Sequence, residues 1–374
     1  MEKMDLFLPG KPISAEIFVG RQLFAKQKLF QKWTSWGNDL AVITDEHVRK
    51  VHSPFFEKLE KEIPGLFILA IPPGEQQKSR KTKEFLEDKL LQKKYGRDSC
   101  IIAVGGGVIT DLAGFLAATY CRGIPLILVP TSLLAMVDAA IGGKTAVNTP
   151  YGKNIIGCFY HPKQIMTDIS WLETLPDKEM REGMAEILKH SLILDKDLFA
   201  LLEDAAAAFY EKNPDLLFQL IKRNIFLKKE VVQQDETEQG LRSILNFGHT
   251  IGHSIELAED YQISHGEAVA LGIWAETNLS RRLGFIEKHD VEKIHSVLKK
   301  YQFPLSLSSK VSMEKLLSAM KLDKKSIKSE PRFVLLESIG KVYRKEGRYC
   351  HPVEKKYLEE TLEELLTFAQ KNYE

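Results

Sequence analysis

The stretch IIAVGGGVITDLAGF, residues 101–115, decides how the first half of the chain folds. A short apolar run ends in three consecutive glycines and passes directly into a pattern of helical periodicity. Bare backbone in such a turn can approach a pyrophosphate, and the helix N-terminus that follows favours anions. The pattern is not GxGxxG, and a glycine turn between strand and helix can equally serve packing alone. Working outward, further β-type runs lie at DLAVIT (39–44), LFILAI (66–71), SCIIAV (99–104) and LILVP (126–130), alternating with helical patterns. This alternation predicts an α/β fold, a Rossmann-like parallel sheet covered by helices, over residues 1–175. Beyond Leu175 and Pro176 the periodicity becomes 3.6-type with few β-branched runs, so a mainly α-helical second domain is expected over 176–374.

Composition narrows the function. The 374 residues are enough for two domains with cores of their own, and 52 basic against 51 acidic residues leave no excess charge to concentrate on a polyanion. Neither nucleic acid nor a membrane surface is therefore expected as a partner. The first twenty residues lack the roughly 7–15-residue apolar core of a secretory signal. The most apolar stretch, Ile124 to Val137, is broken by Pro125 and Pro130 and is shorter than the ~20 residues that span a bilayer. Cys100, Cys121, Cys158 and Cys350 form no CxxC pair, which fits a reducing cytoplasm.

Three constellations carry chemistry. Asp45 ends the first strong strand, where a carboxylate can accept hydrogen bonds from ribose hydroxyls, and the turn PPGEQQKS adds Gly74, Glu75 and Lys78. Glu186, His249, His253 and His265 form the second group, with three of the chain's ten histidines inside 17 residues. A lone histidine is usually a hydrogen-bonded core or surface residue. Here a helix over NFGHTIGHSIE would place His249 and His253 one turn apart on one face, for two ligands or for one ligand and a proton carrier. With His265 and a helical Glu186 the set becomes His₂Glu, which leaves coordination positions open for substrate oxygens. Asp177 is expected to cap the helix bearing Glu186, with Met180, Met184, Ile187, Leu188 and Leu192 on its buried face. The third group sets cations and amides beside glycines: Lys144 in IGGKT, Lys153 and Asn154 in YGKNIIG, then Lys189, Lys228, Arg242 and Asn246. Glycine next to lysine reads as a phosphate or carboxylate cradle, although IGGKT lacks the full P-loop pattern. The stretches 201–212 and 355–374 read as charged surface helices.

The segments GGGVITDLAGF, CRGIPLILVPTSLLAMVDAAIGGKTAVNTPYGKN, AEILKHSLILD, KKEVVQQDETEQGLRSILNFGHTIGHSIE, SHGEAVALGI and MKLDKK, in this order and spacing, resemble the 3-dehydroquinate synthases of the sugar phosphate cyclase superfamily. The resemblance is densest over residues 97–275. It implies Zn2+, with Co2+ as an alternative, on Glu186, His249 and His265, and His253 beside the metal. It implies NAD on Asp45, on Gly74, Glu75 and Lys78, on Gly106, Gly107, Val108 and Asp111, on Thr131 and Ser132, and near Thr174, with Lys144 and Lys153 adjoining. The implied substrate contacts are Asp138, Lys144, Lys153, Asn154, Lys189, Lys228, Arg242, Asn246, His253 and Lys325 of the Asp323-Lys324-Lys325 run. Arg122 matches an arginine that the family offers across a homodimer interface to the neighbour's phosphate pocket.

The implied reaction converts 3-deoxy-D-arabino-heptulosonate 7-phosphate (DAHP) to 3-dehydroquinate and phosphate. It proceeds by transient NAD oxidation, phosphate elimination and aldol closure, within the shikimate pathway of aromatic amino acid biosynthesis. His47, Ser132 and His190 stand where the family often has Asn, Thr and Tyr, and none of them removes a charge or metal ligand from the centre. Rival readings are a cyclase for another heptulose phosphate and a metal-dependent NAD polyol dehydrogenase, which has no need of the lysine set. A non-catalytic nucleotide-binding scaffold would be expected to have lost ligands or glycine turns.

Overall fold

The computed structural model describes residues 15–25, 28–322 and 330–372; Lys325 and its neighbours Asp323 and Lys324 lie outside the described residues. Six strands build the first sheet: β1 (Glu16–Gly20), β2 (Asp39–Asp45), β3 (Phe67–Ile71), β4 (Ser99–Gly105), β5 (Leu126–Pro130) and, after a hairpin of β6 (Lys144–Thr149) and β7 (Gly152–Phe159), β8 (Gln164–Asp168). The helices of this half are α1 (Lys28–Trp33), α2 (Glu46–Val51), α3 (Ser53–Glu62), α4 (Arg80–Gln92) and α5 (Gly107–Thr119). The spatial order is β1-β8-β5-β4-β2-β3, with every neighbouring pair parallel. β4 and β5 are buried along their whole length, and covering a parallel sheet on both faces is what demands their unbroken apolar runs.

All four strands read from the sequence are present to within a residue, whereas β1 and β8 were not anticipated. β8 reads QIMTD, and its polar members hide the strand although all are buried, Gln164 and Asp168 with partners for their side chains. Gln164 accepts from Trp33 Nε1 at 2.8 Å, and Asp168 accepts from the backbone N–H groups of Gln22 and Leu23 at 2.9 and 2.6 Å.

From β2 the chain moves outward to β3, then returns to β4 on the opposite side of β2. The strand order therefore reverses between β2 and β4, and open α/β sheets bind ligands at the carboxyl ends of strands at such a reversal. Asp45 closes β2 there, and Gly105, Gly106 and Gly107 lead from β4 into α5.

The second half contains α6 (Asp177–Leu194), α7 (Lys196–Asp204), α8 (Ala206–Tyr210), α9 (Pro214–Gln234), α10 (His249–Ala258), α11 (His265–Arg282), α12 (Lys288–Lys300) and α13 (Met313–Leu322). Four very short strands, β9 (Phe333–Val334), β10 (Leu336–Ser338), β11 (Lys341–Val342) and β12 (Cys350–His351), precede α14 (Lys355–Lys371). Asp177 occupies the first helical position of α6 instead of capping it; Pro176 in extended backbone is the cap, and the Asp177 carboxylate acts on the helix dipole. The 201–212 and 355–374 segments are not purely surface helices, because Leu202, Phe209, Leu358, Leu362 and Leu365 are buried. Among the described residues no helix is long and apolar enough to cross a membrane.

Two glycines set the spacing of the central helices. A Cβ on Gly272 of α11 would lie 1.8 Å from the Gly248 carbonyl oxygen before α10, and one on Gly266 would lie 2.7 Å from Glu182 Cα on α6. Only hydrogen fits at either crossing, so α11 packs closely against the turn before α10 and against α6 one turn from Glu186.

Candidate active site

Glu186 on α6 is fully buried, and its Oε1 lies 3.3 Å from His249 Nε2 on α10 and 3.4 Å from His265 Nε2 on α11. Two donors on one tetrahedral ion with bonds of ~2.0–2.1 Å stand about 3.3–3.4 Å apart, wider than the roughly 2.9 Å of a direct N–H···O bond. Both Glu186 oxygens are buried without a well-oriented hydrogen bond, although the Lys189 ammonium forms an ion pair against Oε2. The three candidate ligand atoms lie within 4.8 Å of one another. These residues fit a divalent ion.

Protonation agrees. His249 Nδ1–H donates to the Phe247 carbonyl at 3.1 Å, which turns the Nε2 lone pair toward Glu186. Burial, with Lys189 beside it, pushes the His249 pKa down to about 3, so the ring is neutral and able to ligate at neutral pH. Burial also opposes charge on His265, but Glu186 and Glu256 override it and lift its pKa to about 10. A place between carboxylates that holds a proton so firmly is suited to a cation. The His253 ring lies 5.3 Å from that of His249 and 6.3 Å from that of His265, beside the trio.

The expected cations gather on the same side, each with an acceptor. Lys144 pairs with Glu238, Lys153 with Glu256 at 2.9 Å, and Lys228 with the Asp138 carboxylate and carbonyl at 2.5 and 2.6 Å. Arg242 donates to the carbonyls of Gly142, at 2.9 Å, and Glu236, while Asn246 donates to Glu238 at 2.6 Å. Burial opposes the Asp138 charge, but Lys228 outweighs it and holds the carboxyl below its ordinary range; the Lys228 ammonium itself is pushed down by burial.

The two glycine–lysine segments lie at the two ends of one hairpin. Lys144 opens β6, and Gly152, Lys153 and Asn154 follow the turn into β7, because Thr149 pairs with Gly152. Asn154 is exposed in a left-handed conformation, its N–H bonded to Asn148. At Gly142, φ is 105° and a Cβ would lie 2.3 Å from Arg242 Nη2, so glycine is what admits that guanidinium.

In the sheet half, Gly105 serves packing, since a Cβ there would lie 2.6 Å from the Ile109 side chain. Gly106 caps α5 without a side chain and faces Ser132, while Gly107, facing Ala139, and Val108 begin the helix. The Thr131 N–H bonds to the Gly105 carbonyl at 3.0 Å, and Ser132 Oγ accepts from Ala135 at 3.3 Å. One Asp45 oxygen caps α2 through Val48, at 2.9 Å. Gly74 is left-handed, and Glu75 accepts from Asn148 at 2.7 Å. Lys78 and Asp111, both expected at the cofactor, meet each other at 2.5 Å and tie this turn to α5. Thr174 Oγ1 lies 3.3 Å from His52 Nε2 at the α2–α3 junction. Arg122 is exposed beyond α5 between left-handed Cys121 and Gly123. His190 is fully buried; its Nδ1–H donates to Asn224 at 2.9 Å, and burial with Lys189 lowers its pKa to about 4.

Sequence reasoning missed four carboxylates. Glu182 accepts from Gly266 N–H at 2.7 Å and Glu276 from Gly248 N–H at 2.7 Å, so buried acids hold the start of α11 and of the turn before α10. Glu238 and Glu256 hold the lysines of the hairpin. Glu256 had a signal: it stands seven residues after His249 and three after His253, on their face of α10.

This parallel sheet with a glycine turn at its reversal point, joined to a helical half bearing Glu186, His249 and His265, has the fold of the sugar phosphate cyclases. A 2-deoxy-scyllo-inosose synthase complexed with carbaglucose-6-phosphate, NAD+ and Co2+ superposes with a TM-score of 0.84 at 28% identity, covering 93% of this chain and 96% of that one. The 2-epi-5-epi-valiolone synthase of Streptomyces hygroscopicus subsp. jinggangensis 5008, with NAD+ and Zn2+ bound, gives 0.88 at 26% identity, covering 97% and 99%. A probable glycerol dehydrogenase from Sinorhizobium meliloti 1021, at 14% identity and a TM-score of 0.64, shares the fold alone.

Within that class the chain belongs to the 3-dehydroquinate synthase family. The family's N-terminal model matches residues 68–182 and its C-terminal model residues 183–326. A 3-dehydroquinate synthase of Thermodesulfovibrio yellowstonii is 42% identical over 344 residues, 91% of this chain and 95% of that protein.

Proposed function

We propose that the chain catalyses the family's reaction, converting DAHP to 3-dehydroquinate and phosphate with NAD and a divalent ion, Zn2+ or Co2+. The observation that carries this reading is the Glu186–His249–His265 spacing at one end of a ring of paired cations. A polyol substrate gives such a ring nothing to bind, which disfavours the dehydrogenase.

When bound, NAD supplies a reversible hydride acceptor, and the divalent ion a Lewis acid at the hydroxyl being oxidised. Glu186, His249 and His265 hold that ion. The Asp45 carboxylate and the Gly106–Asp111 turn lie where the ribose and pyrophosphate of NAD are received, bordered by Gly74, Glu75, Lys78, Thr131 and Ser132; Thr174 is assigned to its rim. Lys144, Lys153, Asn154, Lys228 and Arg242 receive the sugar's phosphate and carboxylate. Each of these cations now rests on a protein carboxylate or carbonyl, so an arriving anion exchanges one acceptor for another and no bare ammonium is buried in either state. Lys189, Asn246 and Asp138 orient the hydroxyls, and His253 moves protons during elimination and ring closure.

We assign the division between halves to residues 175/176, supported by the end of β8 at Asp168 and the start of α6 at Asp177. A cytoplasmic homodimer is supported by four free cysteines and by the turn and second strand of the hairpin, where Tyr151, Ile155, Ile156 and Phe159 are exposed. In that dimer Arg122 reaches the neighbour's phosphate. The test is phosphate release from DAHP with and without NAD+ and with a chelator. Release that needs both NAD+ and metal, with no NADH accumulating, is expected; NADH from polyols without phosphate release would move the chain to the dehydrogenases.

A further inference from the structure

The two histidines that face Glu186 through Nε2 are held from behind by different groups. His249 Nδ1 is bonded to a main-chain carbonyl, that of Phe247, which has no freedom to leave. His265 Nδ1 instead faces a side chain, the Glu256 carboxylate on α10, whose Oε1 lies 3.6 Å away at ion-pair distance. The same Oε1 accepts from Lys153 Nζ at 2.9 Å, and that lysine belongs to the β6–β7 hairpin of the other half. The Tyr261 ring covers the ammonium at 4.5 Å, and Glu256 is 3% exposed. A buried carboxylate thus stands at ion-pair distance from a ring nitrogen of the candidate metal centre and is bonded to a cation delivered from the sheet half.

We propose that Glu256 is a positioning residue. It accepts the Nδ1–H of His265, fixing the tautomer that turns Nε2 to the ion, and by holding Lys153 it couples ion binding to docking of the hairpin. This rests on the metal-dependent reading above. Neutral imidazole carries one N–H, so an oxygen that claims it at Nδ1 leaves the lone pair at Nε2, and such partners tune metal affinity through ring orientation and basicity. A second ion on His253, Glu256 and His265, whose ligand atoms also lie within 4.8 Å of one another, is the competing use of this carboxylate. Lys153 argues against it, because its ammonium already supplies the positive charge at Oε1.

The test uses the full chain loaded with Zn2+, without substrate or NAD. Chelator competition should give Glu256→Gln a metal Kd roughly 10–100-fold weaker than the starting protein, at one ion per chain. In the Co2+-loaded protein the visible absorption should change in the same variant. Equal affinity and an unchanged spectrum, or two ions per chain, overturn the proposal. Should Glu256→Gln fail to fold, 15N-histidine spectra of the unmutated Zn2+ protein decide: His265 protonated at Nδ1 is expected, and a proton at Nε2 overturns it. A chain that bound metal in this way yet released no phosphate from DAHP would break the proposed reaction and leave the role of Glu256 intact.

Discussion

In the sheet half, the crevice at the strand reversal is made largely of backbone: Gly106 caps α5 with no side chain, one Asp45 oxygen is engaged by α2, and Lys78 is paired with Asp111. In the helical half, the site is made of buried ionisable side chains, with Glu186, Lys189, His190, Lys228 and Arg242 all almost inaccessible. Backbone sites tolerate change in proportion to the space a new atom takes. Clusters of buried charge do not, since losing one member leaves another without compensation.

The sharpest way to break this contrast is Glu186→Gln. The change removes the charge shared by His249, His265 and Lys189, so metal content should fall with activity, by at least about 1,000-fold in kcat/KM. Full metal content in the purified variant would show that Glu186 is not a ligand.

Acid should strike the helical half next. His190 and His295 are held near pKa 4, burial being the largest cause for each, whereas the unfolded rings titrate near 6.5. The unfolded chain therefore binds more protons below pH 6.5, and stability present above that value is lost as pH falls from 6.5 toward 4. At pH 5 the loss should be on the order of 1–2 kcal/mol per histidine, read from urea unfolding at pH 7.5 and 5. Trp274, stacked on His295, provides a local fluorescence signal. A flat stability profile would mean that these rings are not kept neutral.

The smallest expected effect lies on the backbone side. Gly106 has φ −76°, open to any residue, and an added Cβ would lie 3.2 Å from Ser132 Oγ. Gly106→Ala should fold normally and weaken NAD binding about tenfold, near 1.4 kcal/mol. Unchanged NAD affinity would remove the glycine turn from the cofactor site.

Legibility in the sequence divides along the same line. Strands β2 to β5 and the glycine turn could be read because unbroken apolar runs and consecutive glycines have few other uses, whereas β8 was masked by buried polar residues whose partners lie far along the chain. His249, His253 and His265 could be read because histidine is scarce here and two of them share a helical face. Glu182, Glu238 and Glu276 could not, since an acid looks solvated until its burial and partners are known, whereas Glu256 was legible only through its spacing from His249 and His253. The hairpin was not read, because glycines flanking lysines suit an anion cradle as well as a turn.

The sequence by itself determined which residues could ligate, which turns could be bare, and that a sheet half precedes a helical one, because these follow from residue type and local spacing. Only the tertiary structure decided that Lys144 and Lys153 reach across to Glu238 and Glu256, that Lys78 belongs to Asp111, and that Glu186 has no adequate hydrogen bond. The physical reason is that burial sets the cost of an unpaired charge, and burial is a property of how α6, α10 and α11 pack, which no single segment of the chain contains.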